Sequence, residues 1–264
     1  MCALLQEKYP NAEIVYVFAN TGKEHLKTLE FVDRCDRHFG LRLVWVEAVV
    51  HQERKGCTHR IVDFASAARK EEPFRKVIAK YGIPNMSYPH CTRELKLNPM
   101  YSYIDSLGWA WGSYQVAIGI RSDEPKRILE SASSNNIFYP LADAGIEKPD
   151  VLDFWKRMPF DLEIQEHEGN CTTCYKKSDL KHVINIKQNP QWYDFNKEME
   201  KEFGALKADE DHENRVFFRK NRSTEEMFDL AAVFDEIPDI RHLNRPAEDA
   251  GCGESCEAVF ERKS

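Results

Sequence analysis

One segment near the start of the chain constrains the fold more than any other part of the sequence. Residues Glu13 to Ala19 form a continuous β-rich run, in which β-branched, aromatic and small residues follow Glu13. Such a run is typical of a strand buried on both faces, as in parallel sheets covered by helices. The turn Asn20-Thr21-Gly22 follows, then apolar residues at helical spacing as far as Gly40, and a second strand is predicted from Leu41 to Ala48. This order predicts an α/β fold with a mostly parallel sheet and flanking helices.

The ends of these two strands are the first candidate site. Ligands of open α/β sheets bind beyond the carboxyl ends of the strands. We therefore expect Asn20, Thr21, Gly22 and the residues after Glu47 to line a binding site. An ordinary turn between a strand and a helix is the alternative.

The rest of the chain divides into two predicted regions. A helix is predicted from Asp63 to Lys80, broken or restarted at Pro73, and a strand from Trp109 to Ile120. The composition changes near Asp143, so we expect an α/β domain over 1–142 and a mainly helical region over 143–264. The helices predicted for this second region cover about 151–157, 191–203 and 223–234, the last starting at a capping box on Ser223.

Composition narrows the function classes. The apolar runs of this 264-residue chain, such as Ile14 to Ala19, are too short to span a bilayer, and no secretory signal is visible. A cytoplasmic, reducing location is expected, in which the eight cysteines are ligands, nucleophiles or buried thiols rather than disulfides. The net charge of -7 argues against broad, charge-driven binding of nucleic acid, whereas a small anionic substrate remains compatible.

Three cysteines form the most distinctive pattern. Cys171 and Cys174 are a C-x-x-C pair, and Cys91 lies 80 positions earlier. The C-x-x-C spacing lets two sulfurs converge on one metal or iron-sulfur core, but thioredoxin-like redox pairs and zinc sites use it too. Zinc would require a fourth ligand, which His90 or His167 would supply.

Basic residues near these motifs are candidate anion ligands. They are Arg93 and Lys96, close to Cys91, and Arg121 and Arg127, after the predicted strand. Guanidinium groups bind phosphate or sulfate through paired donors, and lysine supplies a compact charge. The alternative is a solvated basic surface balanced by neighbouring acidic residues.

The segment from Cys91 to Pro99, followed by Gly169-Asn170-Cys171-Thr172-Thr173-Cys174, resembles the phosphoadenylylsulfate and adenylylsulfate reductase family. Iron-sulfur members of that family carry a Cys-Cys pair and, about 80 residues later, a C-x-x-C. His90 stands where the first cysteine of the pair would be. The resemblance implies a [4Fe-4S] cluster on Cys91, Cys171 and Cys174, with His90 as the fourth ligand or with one iron left open.

Two further segments carry the same resemblance. Residues 20–24 are similar to the family's Asp-Thr-Gly segment, with Asn20 in place of the acid, and residues 119–127 are similar to its arginine loop. The Ser-Gly-Gly phosphate loop of the wider ATP-pyrophosphatase group is absent. We therefore expect Met1 to be an internal methionine of a longer ancestral frame, with the first strand-helix unit missing. The implied fold is of the adenine-nucleotide α-hydrolase type.

The resemblance implies sulfur chemistry on an adenine sulfonucleotide, or on ATP. The nucleotide would lie near Asn20, Thr21 and Gly22, and Lys96 and Arg121 would hold its phosphate and sulfate. Alternatives are sulfur transfer through an adenylated intermediate, a non-catalytic cluster-bearing subunit, or a component of a complex that modifies tRNA or DNA with sulfur.

Cys252 and Cys256, in the glycine-containing tail, are the candidate nucleophiles for reduction. Attack by one thiolate on the sulfonucleotide sulfur would release the nucleotide and leave an S-sulfocysteine, which a thiol electron donor would cleave to sulfite. The family's Glu-Cys-Gly-x-His motif is incomplete here. A second metal or redox pair and an inert tail are the alternatives.

Overall fold

The computed structural model describes residues 1–169, 171–208 and 213–238, together with the backbone of 257–262. The α-helices of at least seven residues are α1 (Cys2–Lys8), α2 (Leu26–Phe39), α3 (Glu72–Tyr81), α5 (Asn98–Ser106), α7 (Lys148–Lys156), α8 (Asp179–Gln188), α9 (Asp194–Phe203) and α10 (Thr224–Ala232). The shorter α-helices are α4 (His90–Thr92) and α6 (Pro140–Asp143). The strands are β1 (Ile14–Asn20), β2 (Val44–Val49), β3 (Thr58–Val62), β4 (Tyr114–Ala117), β5 (Ile137–Phe138) and β6 (Glu257–Arg262).

The first strand-helix-strand unit is confirmed. β1 and β2 pair in parallel, with Val17 opposite Val44 and Asn20 opposite Glu47. Helix α2 connects them and ends at Gly40, whose left-handed conformation (φ 60°) is one that glycine adopts without a steric cost. The carboxyl ends of β1 and β2 therefore lie side by side, at the edge where the sequence predicts a site.

The sheet is mixed rather than mostly parallel, which corrects the sequence prediction. The strand order is β3-β2-β1-β6-β4-β5. The pairs β1/β2 and β4/β5 are parallel, but β3 and β6 run antiparallel to their neighbours. Strand β6 lies between β1 and β4, so the C-terminal part of the chain contributes to the sheet. The fold is thus a mixed α/β arrangement containing a small parallel component.

Several predicted boundaries are wrong. Residues 63–71 are not helical, and the helix covers only Glu72–Tyr81. Polar groups explain the difference, because Asp63 accepts hydrogen bonds from the amide and hydroxyl of Ser66 at 2.7 and 2.6 Å and closes a turn instead. Strand β4 is shorter than the predicted Trp109–Ile120 segment, and strand β3 and helix α8 were not predicted.

The largest hydrophobic cluster contains residues from both sides of the proposed boundary at 142. Phe74, Ile78 and Leu95 pack in one cluster with Tyr175 and Val183 of the later region. The predicted division at 142 stays a prediction. Among the described residues, no helix is both long and apolar enough to cross a membrane.

Candidate cysteine site

Asn20 ends strand β1 and is fully buried. Its side-chain amide donates to Glu47 Oε1 at 2.6 Å and to the carbonyl of Ala68 at 2.9 Å. Its side-chain oxygen accepts the amide of Gly22 at 3.2 Å. The residue predicted to contact a nucleotide therefore fastens the ends of β1 and β2 to each other.

The turn after β1 depends on glycine. Gly22 has φ +78°, and a Cβ at this position would lie 3.2 Å from backbone atoms of Glu71. Thr21, also buried, donates its hydroxyl to Glu24 Oε1 at 2.7 Å and lies 3.6 Å from Cys171 Sγ. The predicted turn thus reaches the C-x-x-C segment.

Backbone hydrogen bonds hold the C-x-x-C segment against this turn. Glu24 and Cys171 form an isolated antiparallel bridge, and the amide of Thr172 donates to the carbonyl of Lys23 at 3.0 Å. From the other side, Asn185 Nδ2 donates to the carbonyl of Thr172 at 3.2 Å. A segment remote in sequence is therefore fixed at the carboxyl edge of β1.

Cys91 approaches the same place from a helical segment. Helix α4 continues through a π-helical stretch, Arg93–Leu97, into α5. Pro99 lies in the first turn of α5 and cannot donate to the carbonyl four residues earlier, which accounts for the widened turn. Cys91 lies near the start of this helical segment, where the peptide dipoles favour a thiolate, and its sulfur is 3.6 Å from the hydroxyl of Tyr175.

The three cysteines singled out from the sequence line one small cavity of about 20 Å³. Other side chains around it include Thr21, Lys96 and Tyr175. Among the described residues, no group of three or more histidine, cysteine or acidic side chains is arranged to hold a metal ion. The three cysteines thus line one cavity, and the predicted metal site stays a prediction.

Buried lysines surround the cysteines. Lys96, Lys23 and Lys177 are each 4–5% exposed. Lys177 Nζ donates to the carbonyls of His167 and Thr172 at 2.6 and 3.1 Å. Burial lowers the pKa of Lys177 to about 8, an effect that Cys174 and Cys171 oppose. Burial also lowers the pKa of Lys23, opposed by Glu71 and then by Cys171. Because each cation favours a neighbouring anion, the cysteines lie where thiolates are stabilised.

The sequence analysis did not identify Lys23 as part of this site. Its position directly after Thr21-Gly22, in the turn predicted to bind a ligand, was the available signal. Nζ of Lys23 lies 3.4 Å from both Glu71 Oε1 and the carbonyl of Trp192, and 4.7 Å from the ring centre of Phe195.

The two histidines considered as ligands make other contacts. His90 Nε2 lies 3.1 Å from the carbonyl of Gly82, and burial lowers the pKa of His90 to about 4. His167 Nε2 lies 3.0 Å from Gln188 Oε1. Neither ring lines the cysteine cavity. The proposal that His90 is a fourth ligand remains a prediction and would require its ring to leave Gly82.

The four predicted anion ligands divide into two groups. Lys96 lines the cysteine cavity, whereas the three arginines do not. Arg93 is largely exposed and pairs with Glu94 at 2.8 Å. Arg121 pairs with Asp123 at 2.8 Å and with Glu124 at 3.3 Å, and Arg127 also pairs with Glu124. The loop after β4 is thus held by its own ion pairs.

The other cysteines occupy different surroundings. Cys57 is buried, and burial, followed by its hydrogen bond to Glu94, raises its pKa to about 12. Cys2 and Cys35 line a larger, mainly apolar cavity of about 420 Å³, between α1, α2 and α7. This cavity lacks the lysines and the C-x-x-C pair, so we place the candidate chemistry at the smaller cavity. Cys252 and Cys256, the predicted nucleophiles, lie outside the described residues.

Comparison with known proteins finds one similar sequence. The chain is 35% identical, over 180 residues, to an "uncharacterized nin region protein ORF290" of Escherichia phage lambda. The alignment covers 67% of this chain and 61% of the phage protein, so the chain spans about three fifths of that relative's length. No protein-family model matches, and no solved structure matches.

Proposed function

We propose that this chain is a sulfonucleotide-reductase-like protein whose Cys91, Cys171 and Cys174 bind an iron-sulfur cluster beside an adenine-nucleotide site. The single observation that carries the proposal is that these three cysteines, from two segments remote in sequence, line one cavity. The motif resemblance to phosphoadenylylsulfate and adenylylsulfate reductases supplies the substrate class. The fold would be of the adenine-nucleotide α-hydrolase type, consistent with the parallel β1/β2 pair and its polar carboxyl edge.

The donor set fits a cluster better than an isolated redox pair. Three thiolates and nearby buried ammonium groups suit an anionic iron-sulfur core, because each lysine offsets part of its charge. A [4Fe-4S] cluster would use the three cysteines as ligands and supply a polarising centre beside the substrate anion. Zinc is the alternative occupant of the same thiolates.

Lys96 is the residue that we assign to the substrate's sulfate or phosphate. It is buried, and it lines the cysteine cavity. A fixed ammonium group there would offset the repulsion between an incoming thiolate and an anionic sulfonucleotide. The resulting reaction would be attack by a cysteine thiolate on sulfur, release of the nucleotide, and cleavage of the S-sulfocysteine to sulfite by a thiol donor.

A non-catalytic, cluster-bearing subunit is the second candidate. The observation that favours it is the burial of Asn20 and Thr21, whose side chains already bond to Glu47, Ala68 and Glu24. With these bonds in place, a nucleotide at this edge would find few available polar groups.

Nucleotide binding and turnover distinguish the two candidates. Anaerobically purified protein is titrated with phosphoadenylylsulfate and adenylylsulfate by calorimetry, then incubated with each compound and a thiol donor. We expect saturable binding, release of sulfite, and weaker binding by Lys96→Met than by the exposed-site control Lys156→Met. Absence of binding by the cluster-loaded protein would contradict the enzyme and favour the subunit.

A further inference from the structure

The structure contains another cavity, polar and of about 120 Å³. Two loops line it: residues 85–88, which lead into the helix that carries Cys91, and residues 214–221. Its cationic side chains are Arg215, Arg219 and Lys220. Among the described residues, no aspartate or glutamate lines this cavity. Three cationic side chains thus line the pocket, and none of its described lining residues is a carboxylate.

The guanidinium groups of this cavity have unused donors. Arg215 is 8% exposed, yet its Nε has no hydrogen-bond partner, and neither has the buried Nε of Arg219. A buried N–H without an acceptor is costly, and an N–H of a charged group is more so. Other atoms of Arg215 are well fixed: Nη1 donates to the carbonyl of Tyr81 at 3.4 Å, and the guanidinium carbon lies 3.7 Å from the ring centre of Tyr88. Both guanidinium groups therefore carry a buried donor that lacks an acceptor.

The loop that carries Lys220 is held in an unusual conformation. Lys220 and Asn221 both have positive φ, at 61° and 53°, although neither is glycine. Mutual backbone hydrogen bonds between Phe218 and Arg222, at 3.1 and 3.4 Å, close the loop around them. Lys220 is thereby kept at the wall of the cavity.

We infer that this cavity binds one tetrahedral oxyanion, phosphate or sulfate, either free or as the terminal group of a nucleotide. Arginine binds such anions through paired donors and lysine supplies a compact charge, and Arg215, Arg219 and Lys220 all line the cavity. The volume is well below the ~300–1,000 Å³ of typical pockets for larger ligands, so it suits a single oxyanion rather than a whole nucleotide.

The bound anion would fasten both cysteine-bearing segments. Arg219 Nη2 donates to the carbonyl of Lys176, two residues after Cys174. Tyr88, which lines the cavity and stacks against Arg215, is three residues before Cys91. An oxyanion bridging Arg219 and Arg215 would therefore link the C-x-x-C segment to the start of the Cys91 helix. This inference goes beyond the proposed function and does not require a metal.

The test is a calorimetric titration of the full chain with sodium phosphate and, separately, sodium sulfate at constant ionic strength. Wild type should bind one equivalent saturably. Arg219→Gln should weaken binding by about tenfold, because it removes a charge-assisted donor pair. Lys220→Asn should weaken anion binding several-fold, and asparagine tolerates the left-handed backbone at this position. The control Lys156→Gln, at an exposed lysine of α7, should bind as wild type does, and Cys171→Ser tests whether the anion binds at the cysteine cavity instead.

The outcomes are separable. A parallel titration with adenosine monophosphate identifies the source: tighter binding than inorganic phosphate indicates a nucleotide's terminal group, and equal binding indicates a free oxyanion. No saturable binding by wild type would overturn the inference. Unchanged anion binding by both Arg219→Gln and Lys220→Asn would also overturn it. Binding that is lost only in Cys171→Ser would overturn it too, because that result would place the anion at the cysteine cavity. If Arg219→Gln does not fold, as judged by circular dichroism, Lys220→Asn decides.

Discussion

Replacement of Glu47 should reveal how the carboxyl edge of the sheet is held together. This carboxylate, fully buried at the end of β2, accepts four hydrogen bonds. Oε1 accepts from Asn20 Nδ2 and from the amide of Ala68, both at 2.6 Å. Oε2 accepts from Nε and Nη2 of Arg60 at 3.0 and 2.6 Å. Glu47 thus joins β1, β2, β3 and the segment before α3.

The contributions of these bonds differ because the donors differ in exposure. The side chain of Arg60 is 50% exposed, so in Glu47→Ala its guanidinium can return to water and adds little to the loss of stability. The Asn20 and Ala68 donors cannot do so as easily, and their charge-assisted bonds are each worth about 1.5–3 kcal/mol. We therefore expect Glu47→Ala to lower the free energy of unfolding by ~3–5 kcal/mol. Glu47→Gln should cost ~1–2 kcal/mol, because its oxygen can still serve Asn20 and Ala68.

Urea denaturation followed by circular dichroism measures these free energies. Arg75→Ala, which breaks the exposed ion pairs of Arg75 with Glu198 and Glu202, is the control and should cost less than about 1 kcal/mol. The predicted order is Glu47→Ala, then Glu47→Gln, then Arg75→Ala, with similar dependence on urea concentration. Equal losses for Glu47→Ala and Arg75→Ala would refute the reasoning, since the buried donors would then contribute nothing.

Three further predictions concern the turn, the acid stability and the C-x-x-C support. Gly22→Ala should lower the free energy of unfolding by ~1–3 kcal/mol, more than the control Gly40→Ala. Both glycines have positive φ, but only at Gly22 would the new Cβ lie 3.2 Å from backbone atoms. Equal losses in urea denaturation would contradict this prediction. Burial lowers the pKa of His182 to about 3, so the folded state binds fewer protons than the unfolded state between about pH 6.5 and 3. The contribution of buried His182 to the free energy of unfolding should be complete above pH 6.5 and fall by up to ~1.4 kcal/mol per pH unit below it. The difference in free energy of unfolding between wild type and His182→Phe should show this slope. A difference that does not vary with pH would contradict the prediction. Asn185→Ala should remove the side-chain donor to the carbonyls of Thr172 and His167 and lower the free energy of unfolding by ~1–3 kcal/mol, and the iron content should also fall. Unchanged stability would show that Asn185 does not support the C-x-x-C segment.

The sequence predicted the parallel β1-α2-β2 unit because its signals are local. The apolar run, the turn residues and the final glycine each specify conformation over a few positions. Strand β3 gave no such signal, because it lies at the edge of the sheet and its side chains, such as exposed Ile61, do not form a buried face. Its position follows from pairing with β2, which local periodicity does not report.

The cysteines of the candidate site were predictable from the sequence, but the residues that surround them were not. Cysteine spacing and motif resemblance identified Cys91, Cys171 and Cys174. The orientation of the His90 ring depends on its contact with the carbonyl of Gly82, which tertiary packing brings close to the ring. Lys177 gained its carbonyl partners in the same way. Such contacts join segments whose relative positions no local pattern specifies, so they required the structure.

Metal and sulfide analysis of anaerobically purified protein tests the central claim most directly. Iron, acid-labile sulfide and zinc are quantified per chain in wild type, in Cys91→Ser, Cys171→Ser and Cys174→Ser, and in the control Cys35→Ser, whose cysteine lines the apolar cavity. The account predicts stoichiometric iron and sulfide in wild type and the control, and a marked loss in each of the three site variants. Wild-type protein with neither iron nor zinc, or equal metal content in all five proteins, would contradict it.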